Sequence, residues 1–293
     1  MAAKSGQISP ASHNLPRIDP CSQHGYRADK IRIHRLNTGC PGRKKRGGYL
    51  VEQLVIHVPA NKVFRAHVSI VLALILASLA GDIIHLTTGN YHSYGFRQLF
   101  HVGFEKKIPA LFSAAALFSC CLMLLVLYQF YRKSGKDGYR FLGFLSIVFL
   151  FLSYDEAFSV HEKLSAIFDQ WIAGKGLLSF TWVIPGMLFV IAVFLTSISF
   201  LRKTNAATRN LMILSGVIFV SGAAGFEAMS GWRVNEAALK VPLLRTSQPD
   251  LIYFLLSTCE ELLEMSGIAL FLFTLIRHFE RTFGLLTLRI GAS

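Results

Sequence analysis

Acidic side chains lie inside, or at the ends of, segments of this sequence that are otherwise apolar. A charged residue within an apolar segment of membrane-spanning length costs about 2.5 to 3.5 kcal/mol on insertion scales. Because that cost must be offset, the positions of these side chains are the strongest functional signal in the chain. The residues concerned are Asp82, His85, Glu105, Asp155, Glu156, His161, Glu162, Glu227, Glu260, Glu261 and Glu264.

The spacing of residues 155–162 predicts which of them share a helical face. Asp155 and Glu162 are seven residues apart and are expected to lie on one face of a continuous helix. Glu156 is expected to point about 100° away from that face, and His161 to face away from both acids.

Similar spacings occur in two other segments. Asp82 and His85 are three residues apart on one predicted face, an arrangement that metal-binding helices often use. Glu260 and Glu264 also share a predicted face, with Glu261 about 60° from Glu264.

These side chains favour a metal-binding membrane protein, or a metal-dependent membrane enzyme. Several carboxylates cannot all remain ionised in a low dielectric, and a divalent cation compensates their charge well. A set of carboxylates and imidazoles suits iron, manganese or zinc, while Glu105 or Glu156 is expected to serve as an additional catalytic acid or base. The predicted ligands are Asp82, His85, Asp155, His161 or Glu162, Glu227, Glu260 and Glu264.

Two alternatives remain open. The acids of a proton- or cation-coupled transporter would be partly protonated and would form a relay. In a structural subunit the acids would be satisfied by neighbouring polar groups, but the predicted spans contain no Lys or Arg that could serve as a buried partner. His92 and His101 are expected to be solvated in an outer loop, and Gly216, Gly222 and Gly225 are expected to allow close helix packing.

The composition of the chain predicts a membrane protein. Of its 293 residues 53% are hydrophobic and 16% are charged, and the mean hydropathy is +0.46. A soluble chain carries about 25% charged residues. The formal net charge of +13 indicates contact with anionic lipid and orientation in the bilayer, and nucleic acid is not expected as a partner.

The elements that must position the acids are six apolar segments, each about as long as a membrane span. They predict an all-α integral membrane bundle of six transmembrane helices. Pro185 would kink the fourth helix unless that helix begins later. The segments run from about His67 to Thr87, Pro109 to Tyr131, Phe141 to Val160, Ser179 to Leu201, Leu211 to Trp232 and Leu251 to Ile276.

Charge distribution predicts the orientation of these spans. Residues 1–66 are expected to form a basic leader, disordered at least as far as Gly48, and residues 277–293 a cytoplasmic tail around the 67–276 transmembrane domain. Lys and Arg number 22 on the predicted inner side and eight on the outer side, which places both termini in the cytoplasm. The acids then lie in the outer half of a plasma (inner) membrane, and their cluster opens outward.

Four motifs resemble those of a family of uncharacterised multi-pass bacterial membrane proteins. The resemblance covers about residues 68 to 276 and leaves out the leader. It implies a membrane location and a shared acidic site, and it implies no particular reaction. The motifs are Glu105-x-x-Ile108-Pro109-x-x-Phe112-Ser113, Asp155-Glu156-x4-His161-Glu162, Gly225-x-Glu227 and Glu260-Glu261-x-x-Glu264-x-x-Gly267.

Overall fold

A computed structural model describes residues 54–88, 95–102, 107–168, 176, 180–240, 251–284 and 287–290. Within these ranges the regular secondary structure is helical apart from two four-residue strands, β1 (Leu54–His57) and β2 (Thr287–Ile290), which pair with each other. Apart from this small sheet, the described fold is all-helical, as the sequence predicts. The helices are α1 (Ala60–Thr88), α2 (Phe96–Phe100), α3 (Ile108–Lys133), α4 (Tyr139–Phe158), α5 (Val160–Phe168), α6 (Val183–Lys203), α7 (Ala206–Val220), α8 (Glu227–Lys240) and α9 (Leu251–Phe283).

The contacts divide the chain into two units. One comprises residues 1–56 and 289–293, and the other comprises residues 57–288. All the helices named above lie in the second unit, which therefore contains every described side chain discussed below.

Five stretches of the described chain are helical, long and apolar enough to cross a membrane. The sixth predicted segment is also helical, as part of α9, but α9 carries three glutamates in its first half and is not among these five. A helical fold suited to a membrane is thus confirmed, with five candidate spans among the described residues. They are Ala60–Thr88, Ile108–Lys133, Tyr139–Phe158, Val183–Lys203 and Ala206–Arg233.

Helices α3, α4 and α9 form the centre of the packed unit. Leu124 and Leu127 of α3 are fully buried, together with Leu142 of α4 and Leu275 of α9. Helix α6 is different, since many of its large apolar side chains are exposed, including Leu188 at 64%. A helix that is apolar on all sides and exposed on one of them is typical of a lipid-facing span.

Local sequence explains several helix ends. The side chain of Asn205 caps α7 by accepting a hydrogen bond from the backbone N–H of Thr208 at 2.9 Å. Helix α6 begins at Val183, so Pro185 lies in its first turn, where the missing N–H has no helical partner to lose. The structure thus follows the second possibility that the sequence left open for Pro185, a helix that begins later.

Candidate functional site

A cavity of about 270 Å³ lies between α4, α5, α6, α8 and α9, and residues of α3, α7 and the segment between α7 and α8 also line it. Six carboxylates and one imidazole line it, and we call it the acid cavity. None of the described residues that line it is a lysine or an arginine. Its ionisable residues are Asp155, Glu156, His161, Glu227, Glu260, Glu261 and Glu264.

The helix that carries Asp155 stops before it reaches His161. Ser159 has a φ of 52° and a ψ of 53°, in the left-handed region, and separates α4 from α5. Asp155 and Glu162 therefore do not share a face of one continuous helix, and that prediction was wrong. The reason is the reversal at Ser159, a residue type that gives no strong signal of a helix end inside an apolar segment.

His161 turns toward Asp155 because of this break. The backbone N–H of His161 donates to Asp155 Oδ1 at 2.7 Å, and the imidazole Nδ1 lies 3.1 Å from Asp155 Oδ2. The prediction that His161 faces away was also wrong. The carboxylate accepts an otherwise unpaired amide in the first turn of α5, where the helix dipole also favours a negative charge.

A π-helical turn lies between α7 and α8 and brings Glu227 to the acid cavity. It spans Ser221–Phe226, and Glu227 is the first residue of α8. Such turns are rare, and they occur frequently at functional sites. Nothing in the sequence pattern of this segment distinguished it from an ordinary α-helix.

Gly222 allows this turn to lie directly against α9. A Cβ atom at Gly222 would lie 2.7 Å from the carbonyl oxygen of Glu260 and 2.9 Å from Cγ of Glu264. Both distances are too short for any side chain, so the predicted close packing is confirmed at this glycine. Gly216 and Gly225 are different, since a Cβ there would meet no atom within 4 Å.

Two uncharged side chains donate hydrogen bonds to the acids. Trp182 Nε1 donates to Glu227 Oε1 at 2.7 Å, and its ring lies 5.1 Å from that of His161, measured between centroids. Ser230 Oγ donates to Glu260 Oε2 at 3.4 Å. The sequence predicted neither donor, because they are brought to the acids only by tertiary packing.

The donor types in the acid cavity suit a hard or borderline divalent cation, since they are carboxylate oxygens and one imidazole. Their arrangement is open, however. Among the described residues no group of three or more His, Cys, Asp or Glu side chains stands close enough to hold a metal ion. A cation bound here would therefore require side-chain rotations.

Asp82 lies outside the described lining of the acid cavity, in a separate buried group. Arg97 Nε donates to its Oδ1 at 2.9 Å, and His101 Nε2 lies 3.3 Å from the same oxygen. Arg97 and His101 are each 2% exposed. We call Asp82, Arg97 and His101 the Asp82 group.

Two predictions from the sequence were wrong for the Asp82 group. A buried cation does exist, because the short helix α2 brings Arg97 from a predicted outer loop into the bundle. His101, expected to be solvated, is buried by the same segment.

The remaining predicted residues are distributed as follows. His85 is buried on α1, on the same side as Asp82, and is not among the described residues that line the acid cavity. Glu261, placed by helical phase beside the main face, does line the cavity. Glu105, His92 and the side chain of Glu162 lie outside the described part of the structure.

Comparison with known proteins gives a family and no activity. A family profile described as a domain of unknown function (DUF8692) matches residues 68–279, so the chain belongs to this family. The matched range is close to residues 68–276, over which the sequence resembles uncharacterised membrane proteins. No curated protein and no solved structure matches the chain.

Proposed function

We propose that this member of the DUF8692 family is an integral membrane protein that binds a divalent cation in the acid cavity, in competition with protons. One observation carries the proposal. Six carboxylates and one imidazole line a single cavity, and no described lining residue is a lysine or an arginine.

The physical reason is the cost of collecting negative charge in a medium of low dielectric. Neighbouring carboxylates favour one another's protonated forms, so the group either retains protons or gains a cation. Ligands must be deprotonated before they bind a metal, and binding therefore releases protons. Protons and cations are alternative occupants of one site, and their ratio depends on pH.

Manganese, iron or zinc suits this donor set, as the sequence also indicated. Glu227, Glu260 and Glu264 are the proposed anionic ligands, and Asp155 and His161 line the same cavity. Asp82 and His85 are not included, because neither is among the described residues that line the acid cavity, and Asp82 already has Arg97 as a partner. The open arrangement of the donors favours an exchangeable cation over a permanently bound structural metal.

We further propose six spans, with α9 as the sixth, both termini in the cytoplasm and the acid cavity in the outer half of the plasma membrane. The division of Lys and Arg, 22 against eight, supports this orientation. Counted from the predicted cytoplasmic ends, Asp155 and Glu227 lie about 21 to 24 Å above the inner face at 1.5 Å per residue.

The test is a calorimetric titration of the detergent-purified protein with Mn²⁺ in buffers of different ionisation enthalpy, which also measures released protons. We expect saturable binding with proton release, and Glu227→Gln or Glu260→Gln should weaken it by about tenfold or more, or about 1.4 kcal/mol. Asp137→Asn is the control, since Asp137 is an exposed acid paired with Lys203. Mn²⁺ that neither binds saturably nor releases protons at pH 8 would contradict the proposal.

A proton relay is the second candidate, and the absence of a preformed group of three ligands among the described residues favours it. In a relay, Gln mimics a protonated carboxyl and relieves repulsion between like charges. Glu227→Gln and Glu260→Gln would then raise the melting temperature, and a chelator would not change the melting of the wild-type protein. Under the cation proposal, Mn²⁺ raises the melting temperature of the wild-type protein and raises that of the Gln variants less.

A further inference from the structure

A second, larger cavity of about 440 Å³ lies between α3, α4, α6, α7 and α9. Its wall is almost wholly apolar and contains Leu145, Val193, Phe194, Met212 and Phe271. We call it the apolar cavity. Its volume lies within the range of about 300 to 1,000 Å³ that is usual for small-molecule sites.

The apolar cavity and the acid cavity are neighbours with a common wall. Six residues line both, so the cavities are separated only by these side chains, and a ligand that spans both would require some of them to rotate. The shared residues are Leu117, Leu152, Phe189, Val190, Phe219 and Val220.

We infer that the two cavities together bind a long-chain amine, with its alkyl chain in the apolar cavity and its ammonium group among the carboxylates. Each part of such a ligand matches the wall it would meet. The alkyl chain would keep the apolar surroundings that it has in lipid, and the ammonium would bring a positive charge to carboxylates whose described lining contains no lysine or arginine. The inference rests on the proposed cation site, because it takes the acid cavity to attract positive charge.

The position of α6 gives such a ligand a route from the bilayer. Helix α6 forms one wall of the apolar cavity, yet much of its surface is exposed, with Phe194 at 53% and Leu195 at 60%. The alkyl chain of a ligand could thus enter the apolar cavity laterally from the lipid bilayer. A small inorganic cation would occupy only the acid cavity. It would leave the adjoining apolar cavity without a ligand.

Photocrosslinking tests the inference with protein in phosphatidylcholine nanodiscs. The probes are a long-chain primary amine carrying a diazirine on its chain and the matched long-chain alcohol. We expect the amine to label peptides of α6, α7 and α9 saturably, with an apparent affinity at least about tenfold higher than that of the alcohol. Equal labelling by the two probes would overturn the inference.

Gly216→Leu tests whether the alkyl chain of the ligand binds in the apolar cavity. Gly216 lines the apolar cavity, and a Cβ there meets no atom within 4 Å, so we expect the larger side chain of leucine to occupy part of the cavity. Leucine also favours the helix more than glycine does, so the variant should fold. Labelling should fall about tenfold in Gly216→Leu. It should not change in Leu214→Phe, which adds bulk at an exposed position of α7 outside the described lining of both cavities.

Glu227→Gln tests whether the ammonium group binds among the carboxylates. It should reduce labelling by the amine but not by the alcohol. Mn²⁺ titration of the same samples separates the two proposals. If Mn²⁺ binds while the amine labels no better than the alcohol, the inference fails and the cation site stands. Labelling by the amine that is unaffected by Gly216→Leu would also overturn the inference.

Discussion

The Asp82 group and the acid cavity offset buried negative charge in different ways. Asp82 has a cation of its own, because Arg97 lies 2.9 Å from its carboxylate and both side chains are buried. The acid cavity gathers six carboxylates, and its described lining contains no lysine or arginine. Asp82 is thus balanced by a charge within the protein, whereas the role proposed for the acid cavity is to bind a positive charge from outside.

The two groups also differ in the side chains that contact their carboxylates. The Asp82 group ties α2 to α1 through a charged pair, with Arg97 placed 5.1 Å from the ring centroid of Phe254. In the acid cavity, the uncharged side chains of Trp182 and Ser230 donate hydrogen bonds to Glu227 and Glu260. Neutral donors orient a carboxylate without adding a positive charge of their own.

Replacing Arg97 with methionine should lower the stability of the protein more than any other single substitution proposed for these two sites. The variant leaves a buried carboxylate without its cation, and breaking such a pair from one side costs about 3 to 5 kcal/mol. The unfolding of purified Arg97→Met in mild detergent would measure this loss.

The matched control for that experiment is the double variant Asp82→Asn with Arg97→Met. Removing both charges should restore much of the lost stability, because no unpaired charge is left. Where Arg97→Met still folds, its Mn²⁺ affinity should be close to that of the wild-type protein. A stable Arg97→Met variant with weakened Mn²⁺ binding would show that the two groups are not separate.

The membrane fold was largely predictable because it depends on hydrophobicity over lengths of about 20 residues. Each of the six predicted segments contains a helix, although α1 begins at Ala60 rather than near His67, α6 begins at Val183 and α9 continues to Phe283. Hydrophobicity does not report where polar residues extend a helix beyond the apolar part. That is why the ends were predicted less well than the helices themselves.

The membership of the acid cavity was predictable in part, because acids in apolar segments are conspicuous. Its geometry was not, since it depends on two local departures from regular helix, at Ser159 and at Ser221–Phe226. The sequence also did not indicate that Asp82 lies apart from the acid cavity. Its partner Arg97 comes from a polar connection whose return into the bundle leaves no periodic pattern in the sequence.

A substitution at Gly222, where the π-helical turn packs closely against α9, tests the geometry of the acid cavity. Its expected effect on stability is smaller than that of Arg97→Met. Gly222→Ala should cost about 1 to 3 kcal/mol, because the new Cβ forces the π-helical turn away from the backbone of α9. The same displacement should weaken Mn²⁺ binding, since Glu227 follows the turn directly. Unfolding and Mn²⁺ titration of one preparation would measure both effects.

Gly225→Ala is the control for this change. It lies in the same turn, but its Cβ would meet no atom within 4 Å. We expect its stability to stay within about 1 kcal/mol of the wild-type value, in line with the helix preference of alanine over glycine. Equal losses in the two variants would show that the turn itself, rather than its contact with α9, sets the stability.

The smallest predicted effect concerns the neutral donor that distinguishes the acid cavity from the Asp82 group. Trp182→Phe removes the N–H that donates to Glu227 at 2.7 Å and retains an aromatic ring beside His161. A hydrogen bond to a charged group contributes about 1.5 to 3 kcal/mol, and part of this is regained if water replaces the donor. We therefore expect Mn²⁺ affinity to fall by about three- to tenfold, with unfolding changed by about 1 kcal/mol. Trp232→Phe, at an exposed position of α8 outside the described lining, should leave the affinity unchanged. If Trp182→Phe binds Mn²⁺ as tightly as the wild-type protein, the indole serves packing alone, and orientation of Glu227 must come from the π-helical turn.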